Sequence, residues 1–290
     1  MKQNHPTTQY KKILVTGGTG TLGRYAPTIF GKEKVVLADK KTLDVTKKSI
    51  VEKVFKQISP DLVIHLAALT NVDICEKNKN LCNRINFLGT KNIVAVCKKY
   101  DVPLVFLSTA SVFDGKKETG GYSENDVPKP VNAYAKAKHL AENFIQNTLE
   151  NYIIVRAGWM IGGGKDEKKF ISYIIDKIRN GEHVKVVSDK YGTISYAPNL
   201  LLFVKKLLDE KASGVYHFGS NGICSRFEMA TYIKNMINKN TIVIPVSSKD
   251  FERDFPAPRP THEVLTSSKF PFKNHWKKDL RDYIQKELIV

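Results

Sequence analysis

The stretch TGGTGTLG, Thr16 to Gly23, places glycines at 17, 20 and 23 directly behind the apolar run KILVT and at the opening of TLGRYAPTIFG. A strand that ends in such a loop and leads into a helix constrains this chain more than any other feature. The glycines serve a tight turn, close approach of backbone to a pyrophosphate, and close packing of helix on sheet. Gly17, Gly18, Thr19, Gly20, Thr21, Leu22 and Gly23 are therefore expected to cradle a dinucleotide diphosphate, with helix N–H groups and the helix dipole facing it. Asp39 ends the next apolar run, where a carboxylate accepts from ribose hydroxyls. Lys40 and Lys41 follow immediately and suit a 2′-phosphate instead, so NAD and NADP both stay open.

The first hundred residues alternate short apolar runs with amphipathic segments, the signature of βαβ units and a parallel sheet. KILVTG, KVVLAD, DLVIHLAA, PLVFLST and NYIIVRAGW read as strands. TLGRYAPTIFG reads as a helix interrupted by Pro27, and further helices are expected over residues 47–58, 84–100 and 133–150. The expected class is α/β: a Rossmann-type doubly wound parallel sheet with a smaller C-terminal substrate-binding subdomain. Residues 1–10 read as a disordered tail without a secretory signal, and 11–160 as the NAD(P)-binding domain, to which 195–220, containing GVYHFGS, is expected to return. Residues 161–194 and 221–290 make up the subdomain.

Composition removes other classes. The net charge of +17 raises nucleic acid as a partner, but only 8 of the 46 basic residues are Arg and the lysines are spread evenly. Base and phosphate readout favours Arg, so no nucleic acid is expected, and the surplus serves to attract anionic ligands. No apolar run approaches the length of a membrane span. Cys75, Cys82, Cys97 and Cys224 form no C-x-x-C pair and the seven histidines form no ligand cluster. A reducing cytoplasm and no bound metal are the expectations.

Tyr134 and Lys138, in NAYAKAKHL, lie four apart in a helical run and so share one helix face. A free tyrosine titrates near 10 and needs a nearby cation to exchange protons close to neutrality. Lys138 supplies that cation and a contact for a cofactor ribose, and Thr109, at the end of PLVFLST, supplies a hydroxyl to orient the reacting oxygen. These three are the expected catalytic residues.

Gly17-x-x-Gly20-x-x-Gly23, HLAA, INFLGTKN, STASVFDG and YAKAK, in this order, resemble the extended short-chain dehydrogenase/reductases over nearly the whole chain. Within them LDVT, DLVIHLAALTNVDICEKN, GGYSENDVPKPVNAYAKAKHLAE and PAPRPTHEVLTSSKF are most similar to the dTDP-4-dehydrorhamnose reductase family. The resemblance implies that a nicotinamide cofactor gives hydride to C4 of a nucleotide-linked 4-keto-6-deoxy sugar and that Tyr134 protonates the alkoxide, for surface polysaccharide synthesis. It assigns Asp44 and Val45 to adenine, Ala67 and Ala68 to the cofactor channel, Thr109, Ala110 and Trp159 to substrate, and Asn86 to bracing the active-site helices. It also implies a homodimer.

Two departures matter. Ala110-Ser111 stands where those reductases carry Asp-Tyr, removing a carboxylate and a phenol beside the substrate. The loop GWMIGGGKDEKKF is richer in glycine and lysine, and reads as a mobile surface loop ahead of a diphosphate clamp. Arg259, between two prolines, suits either a phosphate grip or a structural ion pair. A nucleotide-sugar epimerase with tightly held NAD, and a non-catalytic regulatory subunit of the same fold, are the competing readings.

Overall fold

The computed structural model describes residues 9–164, 170–237, 240–251 and 253–288. In chain order, β1 (Ile13–Thr16) leads through the glycine loop to α1 (Ala26–Phe30), β2 (Val35–Ala38) and α2 (Lys48–Ile58). Then come β3 (Leu62–His65), α3 (Val72–Lys77), α4 (Lys79–Asn83), α5 (Gly89–Tyr100), β4 (Leu104–Thr109), α6 (Ala133–Gln146) and β5 (Tyr152–Ala157). The remainder holds β6 (Trp159–Ile161), α7 (Phe170–Arg179), β7 (Val184–Val187), β8 (Tyr191–Gly192), β9 (Ile194–Tyr196), α8 (Ala197–Asp209) and β10 (Gly214–Phe218). It closes with β11 (Cys224–Ser225), α9 (Arg226–Ile237), β12 (Val243–Val246), β13 (His262–Glu263) and α10 (Trp276–Tyr283).

The chain divides into two units. The first comprises residues up to Thr109, Asn132–Arg156 and Ala197–Tyr216; the second comprises Ala110–Val131, Ala157–Tyr196 and His217 onward.

The main sheet has the order β10-β5-β4-β3-β1-β2. β1 runs parallel to both β2 and β3, with Thr16 in register with Ala38 on one side and His65 on the other, and β3 runs parallel to β4. The strand order therefore reverses between β1 and β3, and such a switch point opens a crevice at the carboxyl ends of the strands. β1 and β3 are buried at every position, as strands covered on both faces must be. Leu14, Val63, Phe106 and Ile154 of the sheet join Val51 and Phe55 of α2, Ile93 of α5 and Ile145 of α6 in one core. In the second unit Ile174 and Ile178 of α7, Val184 of β7, Met229 and Ile233 of α9, and Leu280 and Tyr283 of α10 form a separate core.

Local differences from the sequence expectations have local causes. Pro27 does not interrupt a helix but sits in the first turn of α1, where its missing N–H costs nothing. The expected helix over 84–100 begins with a π-helical turn, Arg84–Leu88. α6 stops at Gln146 instead of Glu150. The run NYIIVRAGW breaks at Gly158, because the chain there leaves the main sheet: a Cβ at 158 would lie 2.0 Å from the Thr193 carbonyl oxygen, and β6 pairs with β9. The disordered-tail expectation falls mainly on residues 1–8, and the loop GWMIGGGKDEKKF partly on 165–169, all outside the described residues.

Candidate active site

The glycine loop is built as its spacing demands. Gly17 has φ +67°, and a Cβ there would meet the Ala67 backbone nitrogen at 2.8 Å, so only glycine lets the loop lie against the end of β3. A Cβ at Gly23 would strike the Gly18 carbonyl oxygen at 2.6 Å, which keeps the loop tight on the helix that follows. Gly20 differs: it is exposed, and a Cβ there would meet only the Gly17 carbonyl oxygen, at 3.1 Å. Thr19 is exposed, Thr21 half-buried, and Leu22 buried beneath the loop.

Behind the loop runs a chain of buried hydrogen bonds. The Thr90 hydroxyl donates to the Asn86 carbonyl at 2.7 Å, so it accepts from Nε2–H of His65 at 3.1 Å. His65 Nδ1 is then the acceptor for the Thr16 hydroxyl at 2.6 Å, which assigns the tautomer. Thr16 Oγ1 in turn accepts the N–H groups of Leu66 and Ala67, both at 3.2 Å. Burial, and next the positive charge of Lys138, push His65 down to about 3, so the ring stays neutral. Asn86, inside the π-helical turn, accepts from Leu69 N–H at 2.7 Å and donates to its carbonyl at 3.0 Å. The segment carrying Ala67 and Ala68 is thus clamped from both ends.

Asp39 spends Oδ1 on its own turn, accepting from the N–H groups of Lys41 and Thr42 and from the Thr42 hydroxyl, all at 2.9 Å. The Thr42 backbone bond leads in holding its carboxyl below the usual range. Lys40 and Lys41 are exposed beside it. Asp44 likewise accepts from the Thr46 hydroxyl at 2.7 Å, the main reason its pKa is lowered. Val45 is buried, packed so closely on Gly89 that a Cβ there would lie 2.8 Å from it, and its carbonyl takes the Asn92 side chain at 2.8 Å.

Tyr134 and Lys138 lie on α6, whose first turn is fixed by the Asn132 side chain accepting from Ala135 N–H and by Glu76 accepting from Ala133 N–H. Lys138 is 3% exposed, with Nζ 3.8 Å from the centroid of the Phe106 ring on β4, the strand that ends in Thr109. Burial pushes the ammonium down to about 7, against the pull of the Glu142 carboxylate one turn on. Glu142 is fully buried and bonded twice by Arg156, Nη2 donating at 2.7 Å and Nε at 3.1 Å. Burial raises its pKa, but His139 and Arg156 outweigh that and bring it to about 2. A buried cation held against an aromatic face, with a compensated carboxylate behind it, is suited to tuning a neighbouring phenol.

All these groups belong to the first unit; Ala110, Trp159 and Arg259 belong to the second. Ala110 is 2% exposed and sits in an apolar cluster with Val112, Phe113, Tyr122 and Leu265, so of the pair Ala110-Ser111 it is Ser111 that reaches outward. Trp159 is half-buried, and its indole N–H donates to Glu263 at 2.8 Å. Arg259 Nη1 donates to the carbonyls of Ala257 at 3.0 Å and Phe255 at 3.3 Å, stapling its own proline-rich loop. Phe106, His65, Glu142, Arg156 and Glu263 were not singled out from sequence. HLAA contained His65, but nothing in residue spacing tells a buried neutral imidazole from a surface one.

The family described as RmlD substrate binding domain matches residues 11–289. The chain belongs to this family. Among curated relatives, the spore coat polysaccharide biosynthesis protein SpsK of Bacillus subtilis is 31% identical over 94% of this chain and 97% of its own length. A dTDP-4-dehydrorhamnose reductase of Mycobacterium tuberculosis is 27% identical over 93% of this chain and 91% of its own. Among solved structures, dTDP-4-dehydrorhamnose reductase from Bacillus anthracis in complex with NADP superposes with a TM-score of 0.89 at 31% identity, covering 95% of this chain and 99% of that one. The RmlD-type assignment agrees with the sheet order and with the family resemblance read from sequence. Among the described residues no helix is long and apolar enough to cross a membrane, and no group of His, Cys, Asp or Glu is arranged to hold a metal ion.

Proposed function

We propose that this RmlD-type chain is an NAD(P)H-dependent reductase of the C4 ketone of a dTDP-linked 4-keto-6-deoxy sugar, serving surface polysaccharide synthesis. The observation that carries the reading is the buried Lys138 ammonium, one helical turn from Tyr134 on α6, held over the ring of Phe106 on the strand that ends in Thr109. The reduced nicotinamide, when bound, supplies hydride to C4. Tyr134 then gives its phenolic proton to the developing alkoxide, completing the alcohol. Lys138 lowers the proton affinity of Tyr134 by its charge, and Thr109 donates a hydrogen bond to the same oxygen and orients it.

The residues fit a dinucleotide. The loop Gly17 to Gly23 has an open face at Gly20 and no room for side chains at Gly17 and Gly23, which is what close backbone contact with a diphosphate requires. Asp39 keeps Oδ2 for a ribose, or Lys40 and Lys41 take a 2′-phosphate; Asp44, Val45, Ala67 and Ala68 complete the cofactor contacts. Ala110, Trp159 and Arg259 are assigned to the substrate side: Ala110 through backbone, Trp159 through its ring, and Arg259 through its guanidinium. The first unit would bind the cofactor and the second the substrate, so that Ala110–Val131 and residues 157–160, expected from sequence in the cofactor domain, go with the substrate side. A cytoplasmic homodimer without nucleic-acid or membrane partners completes the proposal.

Transfer of label tests it. Incubation of the protein with C4-deuterated NADPH or NADH and enzymatically made dTDP-4-keto-6-deoxyhexose should place deuterium at sugar C4. Conversion of a nucleotide sugar with retained hydrogen and no net oxidation of cofactor would favour the epimerase reading instead.

A further inference from the structure

Ser111 and Glu263 are 152 positions apart in sequence, yet the Ser111 hydroxyl donates to Glu263 Oε1 while the Trp159 indole N–H donates to Oε2 at 2.8 Å. Two separate segments converge on this carboxylate, and two more position the indole that reaches it. β13, which carries Glu263, runs parallel to β8 with Glu263 in register with Gly192. A Cβ at Gly192 would lie 2.5 Å from the Trp159 ring, so the glycine is what lets the indole lie against β8 and aim at Glu263. The Arg226 guanidinium sits 4.0 Å from the Trp159 ring centroid and holds the ring in place.

Glu263 is half-buried, and among the described residues no lysine or arginine pairs with it. Two neutral donors orient the group and use one lone pair on each oxygen, leaving the carboxylate with two further acceptor sites. An ionised carboxylate is acceptor-only, so it selects hydrogen-bond donors and repels phosphate. In a nucleotide-diphospho sugar the donors are the ring hydroxyls and the repelled part is the diphosphate. Of the two neighbours that aim Glu263, the family resemblance implies a substrate role for Trp159, and Ser111 belongs to the pair that replaces Asp-Tyr. A carboxylate lost at 110 is thereby returned to the same neighbourhood from a different strand.

Resting on the reductase reading above, we infer that Glu263 is a specificity-determining residue that accepts hydrogen bonds from hydroxyls of the substrate sugar. Glu263→Gln keeps one acceptor oxygen for Trp159 but loses the charge. It should raise KM for the dTDP-4-keto-6-deoxyhexose by about tenfold or more, as loss of a charge-assisted bond does, with kcat much less affected. Calorimetric binding of dTDP-rhamnose should weaken by a similar factor, and binding of dTDP alone should not change. Ser111→Ala, which leaves the carboxylate in place, should move the same quantities in the same direction by less.

If Glu263→Gln leaves KM and dTDP-rhamnose binding unchanged, or weakens dTDP as much as dTDP-rhamnose, Glu263 merely supports Trp159 and the inference fails. The same holds if the wild-type protein binds dTDP-rhamnose no more tightly than dTDP. Should the wild type bind the sugar selectively and through Glu263 but reduce nothing, the reductase reading fails and the inference stands.

Discussion

The ammonium of Lys138 lies 3.8 Å from the centre of the Phe106 ring, joining helix α6 to strand β4 beside the residues proposed for proton transfer. An aromatic face stabilises a desolvated cation by up to about 2 kcal/mol. Phe106→Leu should therefore make Lys138 lose its proton more readily. The alkaline limb of the kcat profile should move to lower pH relative to wild type. An unshifted limb would show that the ring is mere packing.

Lys138 also makes stability depend on pH in a direction that can be read. Its folded pKa, about 7, lies below the ordinary 10.5, so between these values the unfolded chain binds more protons and stability rises with pH. Below about 7 the folded protein bears the full cost of the buried charge. Lys138→Met should raise the melting temperature near pH 6.5, and the advantage over wild type should shrink as the pH approaches 10.5, while activity is lost. Melting curves of both proteins at the two pH values check this.

Glu142 gives the same direction in a lower pH window, but here the charge stabilises the fold instead of costing it. Its folded pKa of about 2 lies below the ordinary 4.5, so its contribution is complete above 4.5 and is lost as pH falls toward 2. Removing it at neutral pH strands the buried Arg156 charge, and Glu142→Ala should cost about 3–5 kcal/mol in denaturant unfolding. The double variant Glu142→Leu with Arg156→Leu should lose much less. Equal losses in the single and double variants would contradict a compensated pair.

Two glycines of the loop should separate fold from ligand. Gly17→Ala forces a side chain into φ +67° and onto the Ala67 backbone, and should lower thermal stability even without cofactor. Gly20→Ala meets only the Gly17 carbonyl oxygen, at 3.1 Å and with an ordinary φ, and should melt much closer to wild type than Gly17→Ala, yet gain no stabilisation when NADPH is added. A thermal-shift series with and without NADPH distinguishes the two.

The legible parts of this chain were those governed by short-range rules. The glycine spacing, the apolar strands and the helical pairing of Tyr134 with Lys138 are each fixed within about twenty residues. The strand order also places GVYHFGS, as β10, beside β5 in the main sheet. The break at Gly158 was not legible, because it answers to the Thr193 carbonyl, which is distant in sequence. Phe106 read as one apolar strand position among several, and only the burial of Lys138 reveals its second use. The bonds from Arg259 to the Phe255 and Ala257 carbonyls of its own loop were not legible either, since they depend on how the proline-rich segment folds back. Glu263 was invisible, since its partners Ser111 and Trp159 are 152 and 104 positions away.

The most direct test is the oxidation of NADPH, and then NADH, by the purified protein supplied with dTDP-4-keto-6-deoxyhexose, run beside Tyr134→Phe. The account predicts substrate-dependent oxidation by the wild type and a loss in kcat of about 10²–10⁴-fold in the variant, with cofactor binding retained. A wild type that binds cofactor and nucleotide sugar but oxidises nothing, or a variant as fast as the wild type, would contradict it.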